Sequence, residues 1–184
     1  VGGAPIQNIG AYGVEIKDIF VSCSGYFLNT LEKKKFEIND CQFSYRSSIF
    51  KKALRNKFII TEVVLQLSKT NHKISKSYKS INDALNKKKI HNPSIKDIAR
   101  IVSKIRENKL PNPSSIGNSG SFFKNPIVST EVLNKLKQKF SKLVYFKESE
   151  SKYKLSAAWL IENCGFKNIE EKNVGVYKNQ ALVI

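Results

Sequence analysis

The chain has 184 residues, 41% of them hydrophobic, and a formal net charge of +17 from 32 Lys and Arg against 15 Asp and Glu. That suffices for one large or two small domains with a real core. No apolar run reaches the ~20 residues of a membrane-spanning helix, and no basic-then-apolar leader opens the chain, so no membrane partner is expected and the cytoplasm is the expected compartment.

Val1 opens the chain and no methionine occurs in it, so an internal piece of a longer protein is expected. The block VGGAPIQNIGAYGVEI concentrates Gly2, Gly3, Gly10 and Gly13 before the apolar run Val14 to Phe20. Glycine at this density lets backbone N–H groups approach a ligand and describes a loop handing over to a strand. From Ile16 to Leu67 the pattern is β-like: Ile19 and Val21 alternate with Phe20 and Ser22, and Phe36 and Ile38 flank Glu37. Phe58 to Leu67 places Thr61, Val63, Leu65 and Leu67 on one face. Thr30 to Lys33 reads as a turn and the polar stretch Lys69 to Ser80 as a loop.

A short helix is expected over Asn82 to Lys87. A longer one is expected over Ser94 to Lys109, with Ile95, Ile98, Val102 and Ile105 at helical spacing and Ser94 with Asp97 as a cap pair. The segment LPNPSSIGNSGS is the clearest break and suggests a domain boundary near residue 110, giving 1–110 and 111–184. Beyond it, Thr130 reads as the cap of a helix bearing Val132, Leu133, Leu136 and Phe140. Ser156 caps a second helix, Ala157 to Cys164, ended by Gly165. Leu143 to Phe146, Val174 to Tyr177 and Ala181 to Ile184 read as strands, so the fold class is α+β. Cys23, Cys41 and Cys164, without a C-x-x-C pair and with only His72 and His91 as further ligands, point to buried free thiols and no metal site.

The chemistry-bearing residues each have an ordinary reading beside the functional one. Arg46 in FSYRSSIFK can grip a carboxylate through two parallel hydrogen bonds, or serve a surface ion pair. Tyr78 is a half-buried aromatic, Arg106 with Lys109 a solvated helix end, Gln180 an edge-strand side chain, and Phe122 with Phe123 a piece of core. The glycine block lacks Rossmann spacing. Lysines are spread along the whole chain rather than gathered in a stripe, which favours a solvated surface over nucleic-acid binding.

Taken in order, VGGAPIQNIGAYGVEI, FSYRSSIFK, ENKLPNPSSIGNSGSFFKNP, SAAWLIENCGFK and YKNQALVI closely resemble the UDP-N-acetylenolpyruvoylglucosamine reductase (UDP-N-acetylmuramate dehydrogenase) family across essentially the whole chain. The resemblance implies the remainder of a two-lobed FAD-binding region of the vanillyl-alcohol-oxidase/PCMH-like type, followed by a small α+β substrate-binding domain. It implies a monomeric cytoplasmic flavoenzyme of peptidoglycan precursor synthesis, in which NADPH reduces FAD and the enolpyruvyl ether of UDP-N-acetylglucosamine then takes up hydride and a proton. Gly3, Gln7, Asn8, Ile9, Gly10, Ala11, Gly13 and Ile60 match the family's FAD contacts. Tyr78, Arg106, Lys109, Asn125 and Gln180 match its nucleotide-sugar contacts. Arg46 matches the arginine on the substrate carboxylate, and Ser121 the proton donor.

Ser119 stands where the family commonly has alanine, and Ser44 where glycine is common. A first FAD domain upstream and a glutamate-bearing segment downstream are the family's other parts, so this chain alone is expected to bind FAD poorly and to turn over little. A basic nucleic-acid-binding protein and a decayed, non-catalytic relative are the rival expectations.

Overall fold

A computed structural model describes residues 2–72, 74 and 78–184. The chain is α+β with small antiparallel sheets and divides into two compact units, Val1–Ile101 and Val102–Ile184.

In the first unit the glycine block does not run straight from loop to strand. Gly3–Ile6 makes one helical turn, α1, because Pro5 has a fixed helical φ and its missing N–H falls in a first turn that needs no acceptor. A small hairpin follows, pairing β1 (Gly10–Ala11) with β2 (Val14–Glu15). Its two turn residues, Tyr12 and Gly13, both have positive φ (55° and 84°), the backbone whose twist matches that of the flanking strands.

Three strands then form a sheet in the order β4 (Lys33–Glu37), β3 (Phe20–Phe27), β5 (Phe58–Leu65), and the chain reverses between β3 and β4 over residues 28–32. Phe20, Cys23, Phe36, Cys41, Phe50, Phe58 and Ile60 make the core on one face, with Phe36 in edge contact with Phe50 and Phe58 at 5.2 and 5.0 Å between centroids. The face expected for β5 is corrected in part: Phe58 and Ile60 point inward and Val63 packs against the same core, while Thr61, Leu65 and Leu67 are exposed. Gly25 pairs with Ile60 and Ser24 with Glu62, so Thr61 is an extra residue that reverses the alternation midway.

Helix α2 (Lys79–Lys87) begins three residues before the expected Asn82 and buries Ile81 and Leu85. Of the expected loop, residues 69–72, 74 and 78 carry no helix or strand, Lys79 and Ser80 belong to α2, and the rest lies outside the described residues. Helix α3 (Ile95–Lys109) starts at the expected cap, Asp97 N–H donating to Ser94 Oγ at 3.2 Å and Ser94 N–H to Asp97 Oδ2 at 2.9 Å. Its inner face centres on Ile101, and Ile95 is exposed.

The second unit holds β6 (Ile127–Ser129), α4 (Thr130–Lys139), β7 (Tyr145–Lys147), β8 (Lys152–Leu155) and α5 (Ala157–Asn163), with β8 central between β6 and β7. Leu133, Leu143 and Leu155 form its core, with Trp159 and Leu160 packed against them. Ser129, not Thr130, caps α4, its Oγ accepting from Val132 N–H at 3.3 Å. The extended backbone of Ser129 is the conformation an N-cap needs, and Thr130 is already helical. Ser156 caps α5 and Gly165, at φ 77°, follows its end as expected.

The expected strands are displaced. Leu143 turns into the core and the strand begins at Tyr145, while of Val174 to Tyr177 only Val174–Gly175 (β10) pairs, with β9 (Glu170–Glu171). Ala181 to Ile184 joins no ladder: Ala181 and Val183 are buried, and Val183 makes one bridge, to Ser121. Cys23 and Cys41 are buried thiols, but Cys164 is exposed at the end of α5. No described helix is long and apolar enough to cross a membrane.

Candidate functional site

In the first unit, Ser44 and Ser47 exchange backbone hydrogen bonds of 3.0 Å each and put Tyr45 and Arg46 at the tip of a tight turn. Arg46 has φ 50°, a left-handed conformation that costs an L-residue roughly 1–2 kcal/mol and usually goes to glycine. The surrounding bonds hold it there. Arg46 Nη2 donates to Gly10 O at 2.5 Å, Nη1 faces Glu15 Oε1 at 3.4 Å, and the guanidinium lies 5.1 Å from the centroid of Tyr45.

Asn8 ties the two ends of this arrangement together. Its wholly buried side chain donates from Nδ2 to Glu15 Oε2 (2.8 Å) and Ser44 O (3.1 Å), and its Oδ1 accepts from Lys17 N–H (3.2 Å). Gly10 is glycine for a steric reason: a Cβ there would stand 2.8 Å from Val14 O and 3.1 Å from Arg46 Nη1.

The other residues matched to FAD contacts divide by orientation. Gly3, Gln7, Ile9, Ala11 and Gly13 are exposed, and a Cβ on Gly3 would meet nothing within 4 Å. Asn8 and Ile60 turn inward, Ile60 into the sheet core. Tyr78, immediately ahead of α2, is 39% exposed and meets Tyr12 edge-on at 5.2 Å.

In the second unit, the loop 117–123 is tied to the chain's last residues. Ser119 N–H and Oγ both donate to Ile184 O (2.8 and 2.9 Å), and Phe122 N–H donates to Leu182 O (2.8 Å). Gly120 takes φ 65°, and Ser121 follows it, exposed, on the bridge to Val183. Phe122 and Phe123 are not core: they are 63% and 46% exposed and lie edge to face against each other. Backbone bonds to the tail, rather than burial of these rings, fix the loop.

Arg106 is exposed and Lys109 half-buried in the last turn of α3. Asn179 Nδ2 donates to Asn108 O at 3.2 Å, which draws the helix end bearing Lys109 toward the segment bearing Gln180. Gln180 lies in a turn rather than a strand, its carbonyl accepting from Val183 N–H at 3.0 Å. Lys109, Gln180 and Ser121 are thereby joined through residues 179–183. Asn125 is half-buried and accepts from Ala157 N–H at 3.0 Å. Among the described residues no three His, Cys, Asp or Glu gather as metal ligands would.

Residues 112–184 match the family model for the C-terminal domain of UDP-N-acetylenolpyruvoylglucosamine reductase. All 184 residues align with the reductase of that name from Flavobacterium johnsoniae at 48% identity. Over its whole length the chain is thus similar to UDP-N-acetylenolpyruvoylglucosamine reductases. The reductase from Pseudomonas fluorescens is 41% identical over the same 184 residues. The chain spans about half the length of these relatives, 55% and 54%. Among solved structures, the UDP-N-acetylenolpyruvylglucosamine reductase of Thermus caldophilus shares the fold, with a TM-score of 0.59 at 18% identity, covering 100% of this chain and 48% of that one.

The residue that the sequence motifs passed over is Glu15. It is the first acidic residue in a chain with only 15 of them. A carboxylate directly after a glycine block, with no basic neighbour but Lys17, was the available signal.

Proposed function

We propose that this chain is part of an FAD-dependent oxidoreductase that uses NADPH to reduce the enolpyruvyl ether of UDP-N-acetylglucosamine to UDP-N-acetylmuramate, in the cytoplasmic stage of peptidoglycan precursor synthesis. On this reading 1–110 is the rest of the second FAD-binding domain, 111–184 is the substrate domain, and the enzyme is a monomer. The observation that carries it is the single hydrogen-bonded assembly of glycine block and Arg46 turn, which brings a fixed guanidinium against an exposed strip of bare backbone.

The residues present fit part of a flavin site. Gly3, Ala11 and Gly13 leave main chain uncovered, Gln7 and Ile9 add exposed side chains, and Asn8, Gly10 and Ile60 would contribute through their backbone. When bound, FAD relays hydride from NADPH to C3 of the enolpyruvyl group.

The chain's own residues do the rest. Addition at C3 places negative charge on C2 and the adjoining carboxylate. Arg46 presents five N–H donors, of which two are directed at Gly10 and Glu15, so others remain for that carboxylate. A cation held in place before the charge develops favours the transition state over the ground state. Ser121 donates its hydroxyl proton to C2 and recovers one from solvent, completing the saturated ether. A neutral donor suits this position because it adds no charge beside the carboxylate. Arg106 and Lys109 offset the diphosphate charge, and Tyr78, Asn125 and Gln180 orient the nucleotide sugar.

The test is Ser121→Ala in the full-length flavoenzyme. Flavin reduction by NADPH is expected at its normal rate and reoxidation by the enolpyruvyl substrate is expected to stop. Normal reoxidation would remove Ser121 from the reaction.

A further inference from the structure

We propose that Glu15, held by Asn8, is a positioning residue for Arg46, an inference that rests on the carboxylate-binding role proposed above for that arginine. Glu15 is itself fixed from several directions. Its backbone N–H donates to Asp18 Oδ2 at 2.8 Å, and its Oε2 receives Asn8 Nδ2 at 2.8 Å and pairs with Lys17 Nζ at 3.2 Å. That leaves Oε1 to face Arg46 Nη1 at 3.4 Å.

The same Asn8 amide also binds Ser44 O, at the base of the turn that carries Arg46. One buried carboxamide therefore sets both the carboxylate and the backbone from which the guanidinium projects. The side chains of Arg46 and Glu15 are 27% and 23% exposed, so the pair is screened by solvent less than a surface pair.

A pair of this kind has two separable effects. Glu15 fixes the plane of the guanidinium, which matters when charge develops on a substrate carboxylate. Its negative charge also opposes binding of that carboxylate in the ground state. Loss of the charge alone is therefore expected to slow the chemical step without weakening substrate binding. A merely structural glutamate would not divide the two.

The experiment compares Glu15→Gln, Glu15→Asp and Arg46→Lys in the full-length flavoenzyme by stopped-flow of the two half-reactions. Glu15→Gln keeps an oxygen for Asn8 and removes the charge. It is expected to retain FAD and normal reduction by NADPH, with reoxidation slowed about 10- to 100-fold and KM for the enolpyruvyl substrate unchanged or lower. Glu15→Asp, with the charge kept but withdrawn by one methylene, is expected between wild type and Glu15→Gln, and carries the comparison if Glu15→Gln does not fold.

Unchanged reoxidation would overturn the positioning role. So would equal slowing of both half-reactions, or a rise in KM at constant kcat. Arg46→Lys separates this from the underlying reading: normal reoxidation in that variant removes the carboxylate clamp itself, whereas slow reoxidation there with normal Glu15 variants removes only the positioning role.

Discussion

Arg46 donates from Nη2 to the carbonyl of Gly10, 36 residues earlier in the chain, at 2.5 Å. The bond is possible because Gly10 has no side chain: an added Cβ would stand 2.8 Å from Val14 O, 2.8 Å from Glu15 Cγ and 3.1 Å from Arg46 Nη1. The backbone oxygen has least room to yield, since Gly10 pairs with Glu15 and Ala11 with Val14 across the hairpin. Gly10→Ala is therefore expected to cost about 1–3 kcal/mol of stability, read as a fall in thermal midpoint, and to displace Arg46 as well. A midpoint equal to that of the wild type would contradict the close approach.

Asn8 is costly to replace for two independent reasons. Three polar partners lose their bond when its amide is removed: Glu15 Oε2, Ser44 O and Lys17 N–H. Its φ of 43° is also a conformation that asparagine tolerates better than most residues. Leaving buried groups unpaired costs about 1–3 kcal/mol, and the backbone adds roughly 1 more, so Asn8→Ala is expected to lose about 3 kcal/mol. Denaturant unfolding measures it, and a loss below about 1 kcal/mol would mean that water replaces the amide.

How far the fold and site were legible follows from whether the determining contact is local. Ser94 with Asp97 and Ser156 with Gly165 are decided within a few residues, and the sequence pattern places both caps where they stand. The inner face of β5 is decided by an extra residue, Thr61, against a partner strand about 37 positions away, so strict alternation within the segment misses that Phe58, Ile60 and Val63 share the core side. Leu143 and Val183 are apolar in apolar runs and both are buried, yet Leu143 joins no strand and Val183 makes only a bridge to Ser121; strand formation depends on a neighbour that the run does not specify. The site divides the same way. Motif blocks indicated Arg46, Gly10 and Ser121, but the bonds from Asn8, to Glu15 seven residues on in the same block and to Ser44 36 residues on in another, are visible only in space.

The start of α3 gives a pH-dependent expectation. Asp97 is held below the ordinary carboxylate range, first by the Ser94 hydroxyl, which donates at 2.7 Å, and then by the Ser94 backbone N–H at 2.9 Å. A depressed folded-state pKa means that the carboxylate form stabilises the helix start above the unfolded-state pKa. That contribution is lost as pH falls through the lower, folded value. Ser94→Ala removes the first cause and leaves the second, so the Asp97 titration followed by NMR is expected to move upward part of the way. An unchanged midpoint would show that the hydroxyl bond does not persist in solution.

Cysteine reactivity tests the correction at Cys164 together with the core of the first unit. Cys23 and Cys41 are both fully buried among Phe20, Phe36, Phe50 and Phe58. Their thiols share a hydrogen bond, which together with burial pushes the Cys41 thiol well above its ordinary range. The reactive species is the thiolate, which is disfavoured at Cys41, and burial closes both side chains to a reagent, so neither residue should alkylate while the fold holds, whereas the exposed Cys164 should. Iodoacetamide at pH 8 is expected to add one group to the native chain and three after unfolding in guanidinium, and Cys164→Ser should abolish the native addition. Native labelling of Cys41 at a rate comparable to Cys164 would show that the sheet opens far more readily than its aromatic packing implies.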